Sequence, residues 1–422
     1  MSPDTEPFFA AFVESINRLN RIEEQLKVNA LSELLNLPDS EKKTRGLVHT
    51  PAEIAQQPDT WQSTFELFKK RRAEIKNFLV SAGFAVDPRI RPTVFLVGAG
   101  TSDYIGHALA YLFRKEWLCE VVAVPSTDLL THMDELCALE RKYLWISFSR
   151  SGDSPEGVAV LEKACKRRPD IYHIVISCNA KGRMIRDHVG NPQVLSICLD
   201  DVVNDRALAM TSSFSNMVVF GQCMAHGDDL GRYEQILVQL IQAGKSFLPI
   251  AADCAAALAK EPYSKACFVG SGPLRAVARE SALKLLELTA GKVVTMSESP
   301  LGLRHGPMAA LDQDMLFVCF LSGNKRVQQY ERNVLEEIGN KRLVTTRVVV
   351  GGSAVSAMNS PAEHTLAPAG PLAVADDYRP AVDVMFGQVL GLFFSQRWQL
   401  RPDCPSPNGV ISRVVQNVSI YS

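Results

Sequence analysis

The chain has 422 residues, 46% of them apolar and 22% charged, with a formal net charge of −1. That length carries two or three globular domains, and the balanced charge excludes a global field that would attract nucleic acid. The ten cysteines stand as singlets with no CxxC pair, and the eight histidines show no zinc-type spacing. No apolar run reaches the roughly 18–20 residues that span a bilayer, and the N-terminus lacks the basic and apolar regions of a signal peptide. The expectation is a reduced, cytoplasmic protein without metal, nucleic acid or membrane.

In chain order, residues 1 to about 90 read as a helical segment. Phe8, Phe9, Phe12, Ile16 and Leu19 recur at helical spacing. Thr50-Pro51-Ala52-Glu53 predicts a capping box with proline at the first helical position. An amphipathic stretch from Trp61 to Leu79 carries Lys69-Lys70-Arg71-Arg72, which reads as a solvated face because no helix-turn-helix pattern accompanies it. Proline-rich residues 86–92 then read as a linker. Beyond it the texture changes to short apolar runs typical of buried parallel strands: Thr93–Val97, Val121–Val124, Leu144–Phe148 and Tyr172–Ser177. A helical pattern follows Gly98-Ala99-Gly100-Thr101-Ser102, and another runs from Pro155 to about Arg167.

A shift of 172 residues lays Val97-Gly98-Ala99-Gly100 on Val269-Gly270-Ser271-Gly272, Leu144–Phe148 on Leu316–Phe320, and Ile176 on Val348. One offset at three strand ends predicts two tandem α/β subdomains, about 91–245 and 246–398, each with a doubly wound parallel sheet between helical layers. The helical pattern from Tyr233 to Phe247 leads into the second. A tail from 399 to 422, holding prolines and Asn408-Gly409, is expected to be irregular and to reach across to another part of the molecule.

In such sheets ligands bind beyond the carboxyl ends of the strands. Two loops of the first copy fall there, Gly100-Thr101-Ser102 and the run from Ser149 through Ser151 to Ser154. Ser154-Pro155 reads as an N-cap followed by the first helical position, so hydroxyls and helix N–H groups together make an anion site without lysine. No Walker lysine or GxGxxG is present, which favours a phosphate monoester over a nucleotide. The second copy keeps the glycine turn but has Leu321-Ser322-Gly323-Asn324 where the serines would be. It carries instead a helix on which Glu280, Lys284 and Glu287 share one face, read by default as a surface salt bridge. At the functional edge of its sheet, Glu287 becomes a candidate proton-transfer base. His305, before Gly306-Pro307, suits ring opening of a sugar.

The four motifs Val97–Ser102, Ser149–Ser154, Glu280–Glu287 and Arg304–Pro307 together resemble the double sugar-isomerase (SIS) domain family, which includes the isomerase half of glucosamine-6-phosphate synthase. His49–Pro58 with Trp61, and the ending from Pro407 to Gln416, look most similar to its AgaS-type branch of galactosamine-6-phosphate deaminase/isomerases, also described as tagatose-6-phosphate ketose/aldose isomerases. The resemblance implies that Ser102, Ser149, Ser151 and Ser154 hold the phosphate, with Gly100 and Thr101 counted among the substrate- and phosphate-binding residues. It implies that Glu287 is the isomerisation base, with Lys284 beside it at C1–C2. His305 would be the ring-opening group, lent by a neighbouring subunit of a homodimer or larger homo-oligomer. It further implies conversion of galactosamine 6-phosphate and water to tagatose 6-phosphate and ammonia, without a cofactor. The alternatives are isomerisation of tagatose 6-phosphate, deamination of glucosamine 6-phosphate, or a non-catalytic sugar-phosphate sensor. There are two departures from the synthase pattern. The Glu287–His305 spacing is two residues longer, and Gln416 stands where the synthase has a C-terminal lysine.

Overall fold

The computed structural model describes residues 28–84, 87–352, 362–369, 374–406, 408–415 and 418–421. The periodic phenylalanines before residue 20 and Gln416 lie outside them. Four helices open the described chain: α1 (Ala30–Leu35), α2 (Asp39–Arg45), α3 (Thr50–Ala55) and α4 (Gln57–Ser81). The first repeat runs β1 (Thr93–Gly98), α5 (Thr101–Trp117), β2 (Val121–Pro125), α6 (Ser126–Leu136), β3 (Tyr143–Ser149), α7 (Pro155–Arg167), β4 (Tyr172–Ser177), α8 (Arg183–Arg186), β5 (Val194–Cys198) and α9 (Ser212–Ala225). A single helix, α10 (Leu230–Leu258), carries the chain onward. The second repeat runs β6 (Lys265–Gly270), α11 (Pro273–Leu288), β7 (Val294–Glu298), α12 (Pro300–Leu303), β8 (Met315–Phe320), α13 (Lys325–Asn340), β9 (Thr346–Val350), β10 (His364–Leu366) and α14 (Pro380–Arg397).

Both sheets are parallel and share one strand order, β2-β1-β3-β4-β5 and β7-β6-β8-β9-β10. The offset read from sequence is thus a repeat of topology. It extends to the backbone: Gly100 has φ 57° and ψ −127°, and Gly272 has φ 57° and ψ −128°. Side chains alternate across each strand. Val94, Leu96, Leu144 and Ile146 join Phe268, Leu316 and Val318 in one core shared by the two repeats. Phe95, Val97 and Trp145 face an outer layer on the first sheet, and Cys267, Phe317 and Cys319 face one on the second. Helix α9 is buried at every residue, and its polar side chains, among them Ser212, Asn216 and Gln222, are satisfied by hydrogen bonds inside the core. Its N–H groups at Thr211, Ser212 and Ser213 donate to the Asp205 carboxylate at 2.9 Å each.

The opening helices pack onto this core. The Trp61 Nε1 donates to Ser215 Oγ at 3.0 Å and Thr64 Oγ1 to Asn216 Oδ1 at 2.7 Å, both in α9. The basic run on α4 divides: Lys69 and Lys70 are exposed, as expected, but Arg71 and Arg72 are half-buried. Arg71 Nη2 donates to the Ser196 carbonyl at 3.2 Å and Arg72 Nε to the Gly227 carbonyl at 2.7 Å. A guanidinium with several donors satisfies edge-strand and helix-end carbonyls that a lysine reaches less well.

The capping box expected at Thr50 does not form. Thr50 lies inside α3, where its N–H and its hydroxyl both donate to Asp403 Oδ1 at 2.8 Å. Val48 N–H donates to the same carboxylate at 2.8 Å. Glu53 turns instead to the backbone N–H groups of Arg206 and Ala207. A full charge is a stronger acceptor for helix N–H groups than a hydroxyl, so the tail's carboxylate takes the cap. The tail, irregular after Arg397 in the described residues, therefore does reach back across the molecule. No described helix is long and apolar enough to cross a membrane.

Candidate active site

The two glycines of the first loop do different work. A Cβ on Gly98 would meet the Ser102 carbonyl carbon and oxygen at 2.3 Å, so the strand can turn back over the start of α5 only without a side chain. Gly100 supplies the positive φ of the turn. Thr101 and Ser102 are thereby buried in the first turn of α5. At the end of β3, Ser149 Oγ accepts from Gly152 N–H and Ser151 Oγ from Asp153 N–H, both at 3.1 Å. Ser154 occupies the N-cap position of α7, but its hydroxyl makes no bond to its own helix and stays available. Ser102, Ser149, Ser151 and Ser154 line one cavity of about 340 Å³. Its charged lining is Arg150, Glu156 and Arg413.

Thr101 points elsewhere, into the second repeat. Lys284 Nζ donates to Thr101 Oγ1 at 3.0 Å, and Thr101 Oγ1 lies 3.3 Å from Glu280 Oε1. Lys284 Nζ also lies 3.3 Å from Glu280 Oε1 and 2.7 Å from Glu287 Oε2, the latter a charge contact without hydrogen-bond alignment. The surface salt bridge read by default is therefore a buried triad: Glu280 and Lys284 are fully buried, and the Glu287 side chain is 30% exposed. Close helix packing makes this burial possible. A Cβ on Gly391 of α14 would stand 2.9 Å from the Lys284 carbonyl, and one on Gly387 would stand 2.3 Å from Ser281 Oγ. Glycines one turn apart let α14 lie flat on α11.

Burial pushes the Glu280 carboxyl up to about 7, Lys284 pulls it down and Glu287 pushes it up again. Burial alone would lower the Lys284 ammonium, but Glu280 and Glu287 hold it above its usual range. Because the folded Glu280 carboxyl sits above its unfolded value of 4.5, the folded chain binds the extra proton between pH 4.5 and 7. The stability this group contributes is full below pH 4.5 and is lost as pH rises to 7. Glu280→Gln is therefore expected to flatten the fall in melting temperature across that window, whatever its effect on absolute stability. An unchanged slope in thermal melts from pH 5 to 8 would rule this out.

The corresponding edge of the second sheet holds a larger cavity of about 540 Å³. Its anion-binding groups are already engaged by the chain. Asp376 Oδ1 accepts from Gly323 N–H and from Arg379 Nη1 at 2.8 Å, and Asp376 Oδ2 accepts from Ser322 Oγ at 2.5 Å. Ser322 N–H donates to Glu331 Oε2 at 2.8 Å. An internal carboxylate thus fills the edge where the first repeat presents open serines.

His305 stands apart in the single chain. It is exposed, at the end of the short α12 turn and before Gly306 (φ 120°). Its backbone N–H donates to the Gly302 carbonyl at 2.9 Å, and its side chain makes no hydrogen bond or ion pair among the described residues. Sequence reasoning assigned no role to Glu280, Arg150 or Arg413. Glu280 was visible on the helix face and Arg150 between two serines, whereas Arg413 is recognisable only once the tail is folded back.

Paired five-stranded parallel sheets in this order, with a serine-lined cavity in one copy, define a double SIS-domain protein, and a SIS domain model matches residues 90–227. AgaS of Streptomyces coelicolor is 36% identical over 377 residues, covering 89% of this chain and 96% of that protein. The D-galactosamine-6-phosphate deaminase AgaS of Escherichia coli is 32% identical over 393 residues, covering 88% and 95%. The crystal structure of tagatose-6-phosphate ketose/aldose isomerase from Escherichia coli superposes with a TM-score of 0.78 at 28% identity, over 88% of this chain and 96% of that one. The C-terminal domain of glucosamine-fructose-6-phosphate aminotransferase from Francisella tularensis shares the fold, with a TM-score of 0.69 at 18% identity over 84% and 97%. The chain belongs to the AgaS family of SIS-domain enzymes.

Proposed function

We propose that this enzyme converts D-galactosamine 6-phosphate and water to D-tagatose 6-phosphate and ammonia. The observation that carries the reading is the Lys284–Thr101 bond at 3.0 Å, because Thr101 precedes Ser102. The serine cavity of one repeat and the charged helix of the other thus meet at adjacent residues of one loop. The names of the relatives supply the substrate class.

In this reading Ser102, Ser149, Ser151 and Ser154 hold the 6-phosphate. Glu287 removes the C2 proton of the open-chain 2-amino aldose, and the electron pair moves to make the C1–C2 enol. The proton returns to C1, leaving an imine at C2. Water adds there, the C–N bond breaks, and ammonia leaves with a carbonyl in its place. Lys284 fixes the Glu287 carboxylate and supplies positive charge where the C1 oxygen gains electron density. The C1 carbonyl itself acidifies the C2–H bond. His305 is outside the Thr101 cluster, so ring opening in this reading uses His305 of the partner subunit in a homo-oligomer.

The name of the Escherichia coli crystal structure favours a second reading, isomerisation of tagatose 6-phosphate without nitrogen. Ammonia and ketose phosphate should be measured with galactosamine 6-phosphate, glucosamine 6-phosphate, their N-acetyl forms and tagatose 6-phosphate. The expected result is equimolar ammonia and tagatose 6-phosphate from the galacto amine. Turnover of tagatose 6-phosphate with no ammonia from either amine would replace the proposal by the second reading.

A further inference from the structure

The serine cavity offers a phosphate dianion four hydroxyls and the N–H groups at the start of α7. A dianion leaving water needs more than neutral donors, and two arginines line the cavity. Arg150 is buried, with 6% of its surface exposed, and its guanidinium is committed. Its Nη1 donates to the carbonyls of Ala207 at 3.3 Å and Leu208 at 2.9 Å, and its Nη2 to the carbonyl of Arg413 at 2.8 Å. This last bond positions the tail over the cavity.

Arg413 itself is different. Its Nη2 donates to Asn204 Oδ1, while its Nε is buried and has no partner. Asp205, a buried carboxylate nearby, is already occupied: it accepts from the N–H groups of Thr211, Ser212 and Ser213 and from the hydroxyls of Thr211 and Ser213. Burial lowers the pKa of both guanidinium groups, the Asp205 carboxylate opposes that shift in each, and Arg413 lowers that of Arg150 further. A buried and a half-buried cation beside open hydroxyls favour an anion in the cavity, and the Arg413 Nε still lacks a partner.

We propose that Arg413 binds the substrate phosphate directly, as the charged partner of the serine cavity, and that Arg150 is the positioning residue that holds it there. The inference rests on the sugar-phosphate reading for its substrate, but its chemistry is that of any phosphate monoester or inorganic phosphate. The alternative role for Arg413 is structural, a tether of the tail to Asn204.

The test uses the full chain and inorganic phosphate, titrated calorimetrically into wild type, Arg413→Gln, Arg413→Lys and Asn204→Ala, alongside turnover with galactosamine 6-phosphate. A charge-assisted bond of ordinary strength predicts about 10- to 100-fold weaker phosphate binding in Arg413→Gln. KM should rise by a similar factor with kcat little changed, and Arg413→Lys should recover part of the loss. Wild-type affinity should climb from pH 5.5 to 7.5 as phosphate becomes a dianion, and Arg413→Gln should flatten that climb. Asn204→Ala, which cuts the tether and the Asn204 Nδ2 bond to Asp201 Oδ1 at 3.2 Å but leaves the guanidinium, should keep wild-type phosphate affinity. Wild-type phosphate affinity in Arg413→Gln overturns the proposal. So does an equal loss in all three variants with the pH profile intact, which marks a tether. If the wild type releases no ammonia from any amino sugar phosphate yet Arg413→Gln loses phosphate affinity, the deaminase reading fails and the phosphate site stands.

Discussion

Glu287→Gln is expected to lower kcat for ammonia release by about 10²–10⁴-fold, the usual contribution of a positioned general base. The substitution keeps the side-chain shape and leaves an amide oxygen 2.7 Å from the place of Lys284 Nζ, where the carboxylate oxygen now sits. It removes the ability to take a proton from carbon and, with the charge, the pull of Glu287 on Lys284, which Glu280 still holds. Glu287 does not line the serine cavity, so inhibition by inorganic phosphate should be unchanged and KM should move little. The side chain is part exposed, so the melting temperature should also stay close to wild type. Single-turnover measurements with 2-deuterated substrate add a second readout, since a slow C2 proton transfer exposes an isotope effect in the variant. Near-normal ammonia release with unchanged phosphate inhibition would remove Glu287 from the mechanism.

Lys284→Ala should have the largest effect on stability. Lys284 is the one cation bonded to the fully buried Glu280 carboxylate among the described residues. Its removal leaves that carboxylate, 0% exposed, with a threonine hydroxyl as its remaining partner. Breaking a buried pair from one side costs about 3–5 kcal/mol, because the surviving charge stays desolvated. Denaturant unfolding should show a loss of that order at pH 8 and a smaller loss at pH 5, where the carboxyl is protonated. The double substitution Glu280→Gln with Lys284→Met should recover much of the stability and none of the activity. A loss below about 1 kcal/mol at pH 8 would return the cluster to the class of surface pairs.

Legibility in the sequence followed the range of the interactions. The glycine turns at Gly98–Gly100 and Gly270–Gly272, the strands of both sheets' centres and the helix bearing Glu280, Lys284 and Glu287 were readable because period and turn chemistry are local. Helix α9 escaped notice because it is buried on every face, its serines, asparagine and glutamine included, with no amphipathic period to see. The cap at Thr50 was misassigned for a related reason. Its local partner, Glu53, was in view, but the stronger acceptor, Asp403, comes from the far end of the chain. Arg71 and Arg72 read as solvated because the carbonyls of Ser196 and Gly227 that they satisfy lie more than a hundred residues away.

By itself the sequence determined the duplication, the loops at the strand ends and the residue types there that could hold a phosphate and move a proton. Only the tertiary structure decided how they are shared out. It buries Lys284 between two carboxylates because Gly387 and Gly391 admit α14 against α11. It turns Thr101 from the serine loop into the charged cluster, fills the second repeat's anion edge with Asp376, and brings Arg413 to the serine cavity through Arg150. Each of these depends on desolvation and on contacts between distant segments, and a linear pattern carries neither.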